Sequence, residues 1–264
     1  MKLHGVFVGI NNYSDQKISN LAYAENDARS FYNLFQNTFS EDDVELHLLV
    51  NEQATKKRVL NLLAERLPNR VNSDDMVVVY YSGHGSPELN DSQSTIARYL
   101  VAYDTEYDSL FTTGINIEHD INLVTERLKC NKVVFLLDTC FSGRAGGKTF
   151  EGVFLKEYRR NFRSYNKAFS DLKLGEGRVI LSACRDDEVA FEYPTLKHGI
   201  FTYSVLNILT NSNKDNGTIG IGTFYDLVLN EVRRKSKNMQ NPVMYGSLSS
   251  GEFPLLIKKE GVLL

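Results

Sequence analysis

"MVVVYYSGHG", residues 76–85, runs apolar without a break from Met76 to Tyr81 and then meets a serine, two glycines and a histidine. A strand that is apolar at successive positions is buried on both faces, which is the habit of a parallel sheet covered by helices. Four more stretches read the same way: "HGVFVGI" (4–10), "VELHLLV" (44–50), "KVVFLLD" (132–138) and "RVILSA" (178–183). Helical periods lie between them. "AENDARSFYNLFQNTF" (24–39) puts Ala28, Phe31, Leu34 and Phe35 on one face, and "TKKRVLNLLAERL" (55–67) does so with Val59, Leu62, Leu63 and Leu67. The pattern predicts an α/β fold: one three-layer domain with a mostly parallel central sheet and helices on both faces.

The 264 residues are 42% apolar and 24% charged, with a formal net charge of −3. That balance belongs to a soluble globular protein and offers no basic excess for nucleic acid. No stretch reaches membrane-spanning length, and the start, "MKLHGVFVGINNY", is too interrupted for a signal peptide. Cys130, Cys140 and Cys184 are odd in number and widely spaced. They argue against a disulfide framework or structural zinc, and for a reducing cytoplasm.

Functional residues in such sheets gather beyond the carboxyl ends of the strands. Strand 76–82 delivers "SGHG" there, and strand 132–138 delivers "DTCFSG". Taken singly, a cysteine after an apolar strand is ordinarily a small buried hydrophobe, and a histidine in a glycine-rich turn is ordinarily structural. Brought to one sheet edge, His84 and Cys140 make a general base and a nucleophile, since a thiol needs a base to attack at neutral pH. Gly85 offers an unhindered N–H which, with the N–H of Cys140, would form an oxyanion hole. Asp138 lies two residues before Cys140, so its side chain leaves the strand on the same side.

"YYSGHG" followed by "LLDTCFSG" resembles the caspase-hemoglobinase fold, in particular its metacaspase and bacterial caspase-like branch. "GVFVGINNY", "LAYAENDA", "SACRDDEVAFE" (182–192), "HGIFTYSVLNIL" (198–209) and "QNPVMYG" (240–246) extend the likeness over almost the whole chain. The animal-caspase signature around the cysteine is replaced by "DTCFSG". The resemblance implies a cysteine endopeptidase with a His84/Cys140 dyad and with Gly85 and Cys140 as oxyanion donors. It implies a pocket for Arg or Lys lined by Asp27 and Asp138, with Ser82 beside them, and structural roles for Cys130 and Cys184. It divides the chain into a large-subunit part (1–143), a linker (144–177) and a small-subunit part (178–264). Implied partners are a protein substrate with exposed basic residues and an activating partner, acting on a monomer, in regulated proteolysis such as bacterial defence or cell death.

The linker carries Arg144, Lys148, Lys156, Arg159, Arg160, Arg163, Lys167 and Lys173, so a basic-specific enzyme would be able to cut itself. Arg159 and Arg160 are the expected cut site. An aromatic stripe from Phe150 to Leu172 reads as a helix on the protein's own body, or as a lid or partner-binding helix released on activation. No cofactor is expected unless it is calcium, as in some metacaspases. Asp104, Glu106 and Asp108 are the candidate ligands, although they do not follow the EF-hand pattern. Arg185, next to Cys184, would favour acidic substrates if it turned towards Asp138. The rival readings are an Asp-specific protease, a silent scaffold on the same fold, and a nucleotide-binding domain. For the last, neither "VGINNY" nor "SGHGS" matches a phosphate loop.

Overall fold

The computed structural model describes residues 1–89, 96–142, 148, 174, 176–212 and 219–247. Its strands in chain order are β1 (Leu3–Gly9), β2 (Val44–Val50), β3 (Met76–Ser82), β4 (Gly85–Leu89), β5 (Ile96–Leu100), β6 (Ile115–Asn116), β7 (Val133–Asp138), β8 (Arg178–Ser182), β9 (Glu192–Tyr193), β10 (His198–Gly199) and β11 (Val243–Ser247). The five apolar runs become β1, β2, β3, β7 and β8, with ends shifted by a residue at most. They form one sheet in the order β11-β8-β7-β3-β1-β2, all parallel except β11, which runs antiparallel to β8.

The sheet is covered on both faces, as its apolar strands require. One face packs Phe7, Tyr80, Leu136 and Leu181 against the helices Ala24–Thr38, Ile200–Ser212 and Ile221–Ser236. The other packs Val6, Val79, Phe135 and Leu137 against Val59, Leu62, Leu63 and Val124 from helical segments. Ala28, Phe31 and Phe35 are buried as their spacing predicts, while Leu34 is only half-buried. Among the described residues, no helix is long and apolar enough to cross a membrane.

A second, three-stranded antiparallel sheet, β4-β5-β6, grows directly out of the histidine turn. The apolar-run reading passes over it, because "GSPEL" contains Pro87 and β5 buries a charged residue, Arg98. That arginine is held by Glu118 at 2.8 Å and by Asp186 at 2.6 Å, and so ties β5 to the segment that follows β8.

The three middle strands end level with one another. Gly9 pairs with Ser82, and Ser82 with Asp138, so the carboxyl ends of β1, β3 and β7 share one rim. Phe31 supports this rim from the helix side, its ring 4.2 Å from that of Tyr80. Replacing Phe31 with Ala should cost about 3–5 kcal/mol in denaturant unfolding, by lost transfer energy plus the cavity left behind. Half-buried Leu34→Ala should cost much less. Equal losses would mean that this helix face is not packed as described.

Candidate active site

Past Ser82 the chain turns through Gly83 to His84, whose backbone is clamped at both ends. Its N–H donates to the Tyr13 hydroxyl at 2.8 Å, and its carbonyl accepts from the Val101 N–H and the Tyr81 hydroxyl. The Tyr13 ring lies 5.2 Å from the imidazole, centroid to centroid. Nε2 sits 2.7 Å from the carbonyl oxygen of Ser19. A carbonyl can only accept, so Nε2 carries the hydrogen and Nδ1 of the neutral ring holds a lone pair. Nδ1 is buried and has no hydrogen-bond partner among the described residues. Burial, with the Lys148 ammonium alongside, outweighs the Ser19 carbonyl and pulls the imidazole from 6.5 down to about 4. The ring is therefore a neutral base at neutral pH. Ser19 was not foreseen from the sequence, since what it contributes is a main-chain oxygen.

Cys140 leaves β7 two residues after Asp138 and on the same face of the sheet, as the alternation predicts. Its thiol lies 2.7 Å from the Glu188 carbonyl and 3.0 Å from the Ser142 hydroxyl. Gly85 approaches this segment so closely that a Cβ there would stand 2.6 Å from Thr139 Oγ1 and 2.7 Å from the Cys140 carbonyl. Only glycine fits between the two strand exits.

The two aspartates lie together, although they are 111 positions apart in the chain, Asp27 in the first turn of the helix Ala24–Thr38 and Asp138 at the end of β7. Between them stands Lys148, fully buried, its ammonium 3.1 Å from Asp27, 3.0 Å from Asp138 and 2.6 Å from the Ser82 hydroxyl. Ser82 in turn donates to Asp27 at 3.0 Å. His198 Nδ1 lies 2.7 Å from Asp27, and Thr202 donates its hydroxyl to Asp138. Gly199 forms the floor, where a Cβ would meet Asp138 at 2.4 Å and the Lys148 ammonium at 3.0 Å. Burial works to discharge Lys148, but Asp138 and Asp27 outweigh it and hold the ammonium charged. One cation faces two carboxylates, and burial, with Asp27 alongside, pushes Asp138 above the usual carboxylate range in spite of Lys148.

Lys148 is held by its backbone as well. Its carbonyl oxygen accepts from the Gly85 N–H at 3.1 Å, and its own N–H donates to the Ala190 carbonyl at 3.2 Å. Of the eight basic linker residues, this is the one the structure describes, and it reaches the carboxylate pair. Arg159, Arg160 and the aromatic stripe lie outside the described residues. Arg185 is exposed, and the cation facing Asp138 is Lys148. Cys130 is buried before β7, while Cys184 lies beside Cys140. The proposed calcium ligands do not converge: Asp104 accepts from the Lys56 N–H, Asp108 pairs with Lys17, and no metal-type cluster occurs among the described residues.

A caspase domain model matches residues 3–253. Among solved structures, a Geobacter sulfurreducens protein superposes with a TM-score of 0.72 at 16% identity, over 100% of both chains. Caspase-1 from Spodoptera frugiperda does so with a TM-score of 0.59 at 14% identity, over 99% of this chain and 92% of its own. No curated protein matches the chain. The chain belongs to the caspase family of cysteine peptidases.

The depressed His84 pKa has a measurable consequence. Between pH 6.5 and 4 the unfolded chain binds a proton that the folded one does not, so stability falls as the pH drops through that window. On going from pH 7 to pH 5, wild type should lose about 2 kcal/mol more than His84→Gln in denaturant unfolding. Equal losses would show that the imidazole is open to solvent.

Proposed function

We propose that this member of the caspase family is a cysteine endopeptidase that cuts after Arg or Lys. One observation carries the reading. Lys148 lies as a substrate residue would, with its ammonium between Asp27 and Asp138 and its carbonyl oxygen on the Gly85 N–H. An aspartate side chain in the same pocket would meet two carboxylates, which disfavours the Asp-specific alternative.

In the proposed reaction His84 Nδ1 takes the Cys140 proton as the sulfur attacks the carbonyl carbon of the basic residue. The developing oxyanion is held by the Gly85 and Cys140 N–H groups. His84 then passes the proton to the departing amine, and water hydrolyses the thioester. The Ser19 carbonyl positions the ring throughout, so no side-chain carboxylate is needed behind it.

Arg should outrank Lys. Asp138 Oδ1 is buried without a partner among the described residues even with Lys148 seated. A guanidinium has five donors in a fork and reaches both oxygens, where an ammonium reaches one. A charge-assisted hydrogen bond of about 1.5–3 kcal/mol corresponds to at least about a tenfold gain in kcat/KM.

The intact chain then carries its own occupant, and Lys148–Thr149 becomes the first bond to be cut, in place of those after Arg159 and Arg160. A latent form of this kind suits regulated proteolysis in a reducing cytoplasm, where a protein partner or target would draw Lys148 out. The resemblance extends this to bacterial defence or cell death.

The test is hydrolysis of fluorogenic peptides ending in Arg, Lys or Asp. Arg should lead Lys by about tenfold, Asp should be inert, and Cys140→Ala should abolish turnover. Cleavage after Asp, or activity surviving in Cys140→Ala, would overturn the reading. On standing, wild type should yield a fragment beginning at Thr149, and Lys148→Ala should not. A cut that persists in Lys148→Ala would place the processing bond elsewhere.

A further inference from the structure

We propose that Cys140 and Cys184 form a peroxide-sensitive dithiol whose oxidation to a disulfide reversibly withdraws the nucleophile. The effect on activity rests on Cys140 being that nucleophile; the bond itself does not.

The geometry comes from two strand exits that run side by side. β7 and β8 pair in parallel, with Leu137 level with Ser182, and the Ala183 N–H donates to the Leu137 carbonyl beyond the last pair. Cys140 and Cys184 follow within two or three residues of those positions. Both sulfurs lie on one acceptor, the Glu188 carbonyl, Cys140 at 2.7 Å and Cys184 at 3.6 Å. Cys184 is 3.7 Å from the Thr139 carbonyl as well, and so leans towards the β7 exit. Both thiols are buried, and no cysteine of the chain is in a disulfide. Contact with Cys140, ahead of burial, holds the Cys184 thiol protonated well above its ordinary range.

The segment carrying Cys184 is fastened independently of the thiols. Asp186 is ion-paired with Arg98 at 2.6 Å, the Asn241 N–H donates to the Glu188 carboxylate at 2.6 Å, and Gln240 donates to the Ala183 carbonyl at 3.0 Å. The two sulfurs are therefore held near each other before any reaction, and bond formation has little chain to order.

The chemistry balances with hydrogen peroxide as the oxidant. The Cys140 sulfur attacks one peroxide oxygen; an S–O bond forms, the O–O bond breaks, and water leaves, giving a sulfenic acid. The Cys184 sulfur then attacks the Cys140 sulfur. An S–S bond forms, the S–O bond breaks, and a second water leaves. Two thiols lose two electrons, and one peroxide becomes two waters. Cys184 thus acts as the resolving thiol, diverting Cys140 from irreversible sulfinic acid. Cys130, which precedes β7 at the opposite end of the strand, takes no part.

The test treats the full chain with hydrogen peroxide and maps its peptides without reduction. A linked Cys140–Cys184 peptide, lighter by two hydrogens and removed by dithiothreitol, is expected in wild type and in Cys130→Ser. Turnover of an Arg peptide should fall as the linked peptide appears and return with dithiothreitol. In Cys184→Ser, turnover should begin near the wild-type value, and peroxide should abolish it without recovery as Cys140 becomes sulfinic acid. Oxidation of Cys140 in wild type with no linked peptide, or linkage to Cys130, would overturn the proposal. So would full recovery of Cys184→Ser under dithiothreitol. A linked peptide from a chain that cleaves none of the peptides would support the dithiol and count against the peptidase reading instead.

Discussion

Asp27 and Asp138 are sealed from solvent within reach of one atom, and two carboxylates so placed cannot both stay ionised without a cation between them. Much of the local architecture serves that requirement. The level endings of β1, β3 and β7 bring Ser82 and Asp138 to one rim, and the first turn of the helix Ala24–Thr38 lowers Asp27 onto it. Gly199 leaves the space, and His198, Thr202 and Ser82 use up the remaining carboxylate oxygens save one. The charges of this cluster are committed to fixed positions by the surrounding hydrogen bonds.

The histidine side follows a different logic. No charge is placed behind His84; a main-chain carbonyl fixes the ring, and burial keeps it neutral. The buried carboxylates thus face Lys148, and His84 is positioned by a neutral main-chain group. The cation between the two aspartates works against a charge on the imidazole. In the proposed reaction the pair would then start as neutral base and thiol rather than as a standing ion pair.

The sequence made the sheet legible because its five parallel strands are buried on both faces and so read as unbroken apolar runs. It also made the histidine and cysteine legible, since each follows such a run at the same edge. β11 was not read as a strand, although "QNPVMYG" carried part of the family likeness, for its exposure alternates too little to give a period of two. The β4-β5-β6 sheet was hidden by Pro87 and the buried Arg98, which pays for its burial through Glu118 and Asp186, partners distant in sequence. Lys148 stood among eight basic linker residues with nothing local to single it out, because its distinction lies in carboxylates from two other elements. Ser19 could not have been singled out by residue type, since any residue at position 19 would supply the same carbonyl.

The seam between β7 and β8 runs through the interior of the sheet, with β11 beyond it on one side and β3, β1 and β2 on the other. Residues 139–177 connect those two strands in the chain. Were that connection cut, β7 and β8 would still share five paired positions, the Ala24–Thr38 helix would still meet Ile200–Ser212, and contacts such as Arg98–Asp186, His198–Asp27 and Thr202–Asp138 would still cross between the two parts. Two polypeptides would then share one hydrophobic core, and separating them would open central strands rather than an edge. Cutting that connection and separating the two parts would therefore be distinct events, and a nicked molecule would migrate as a single particle until it is denatured.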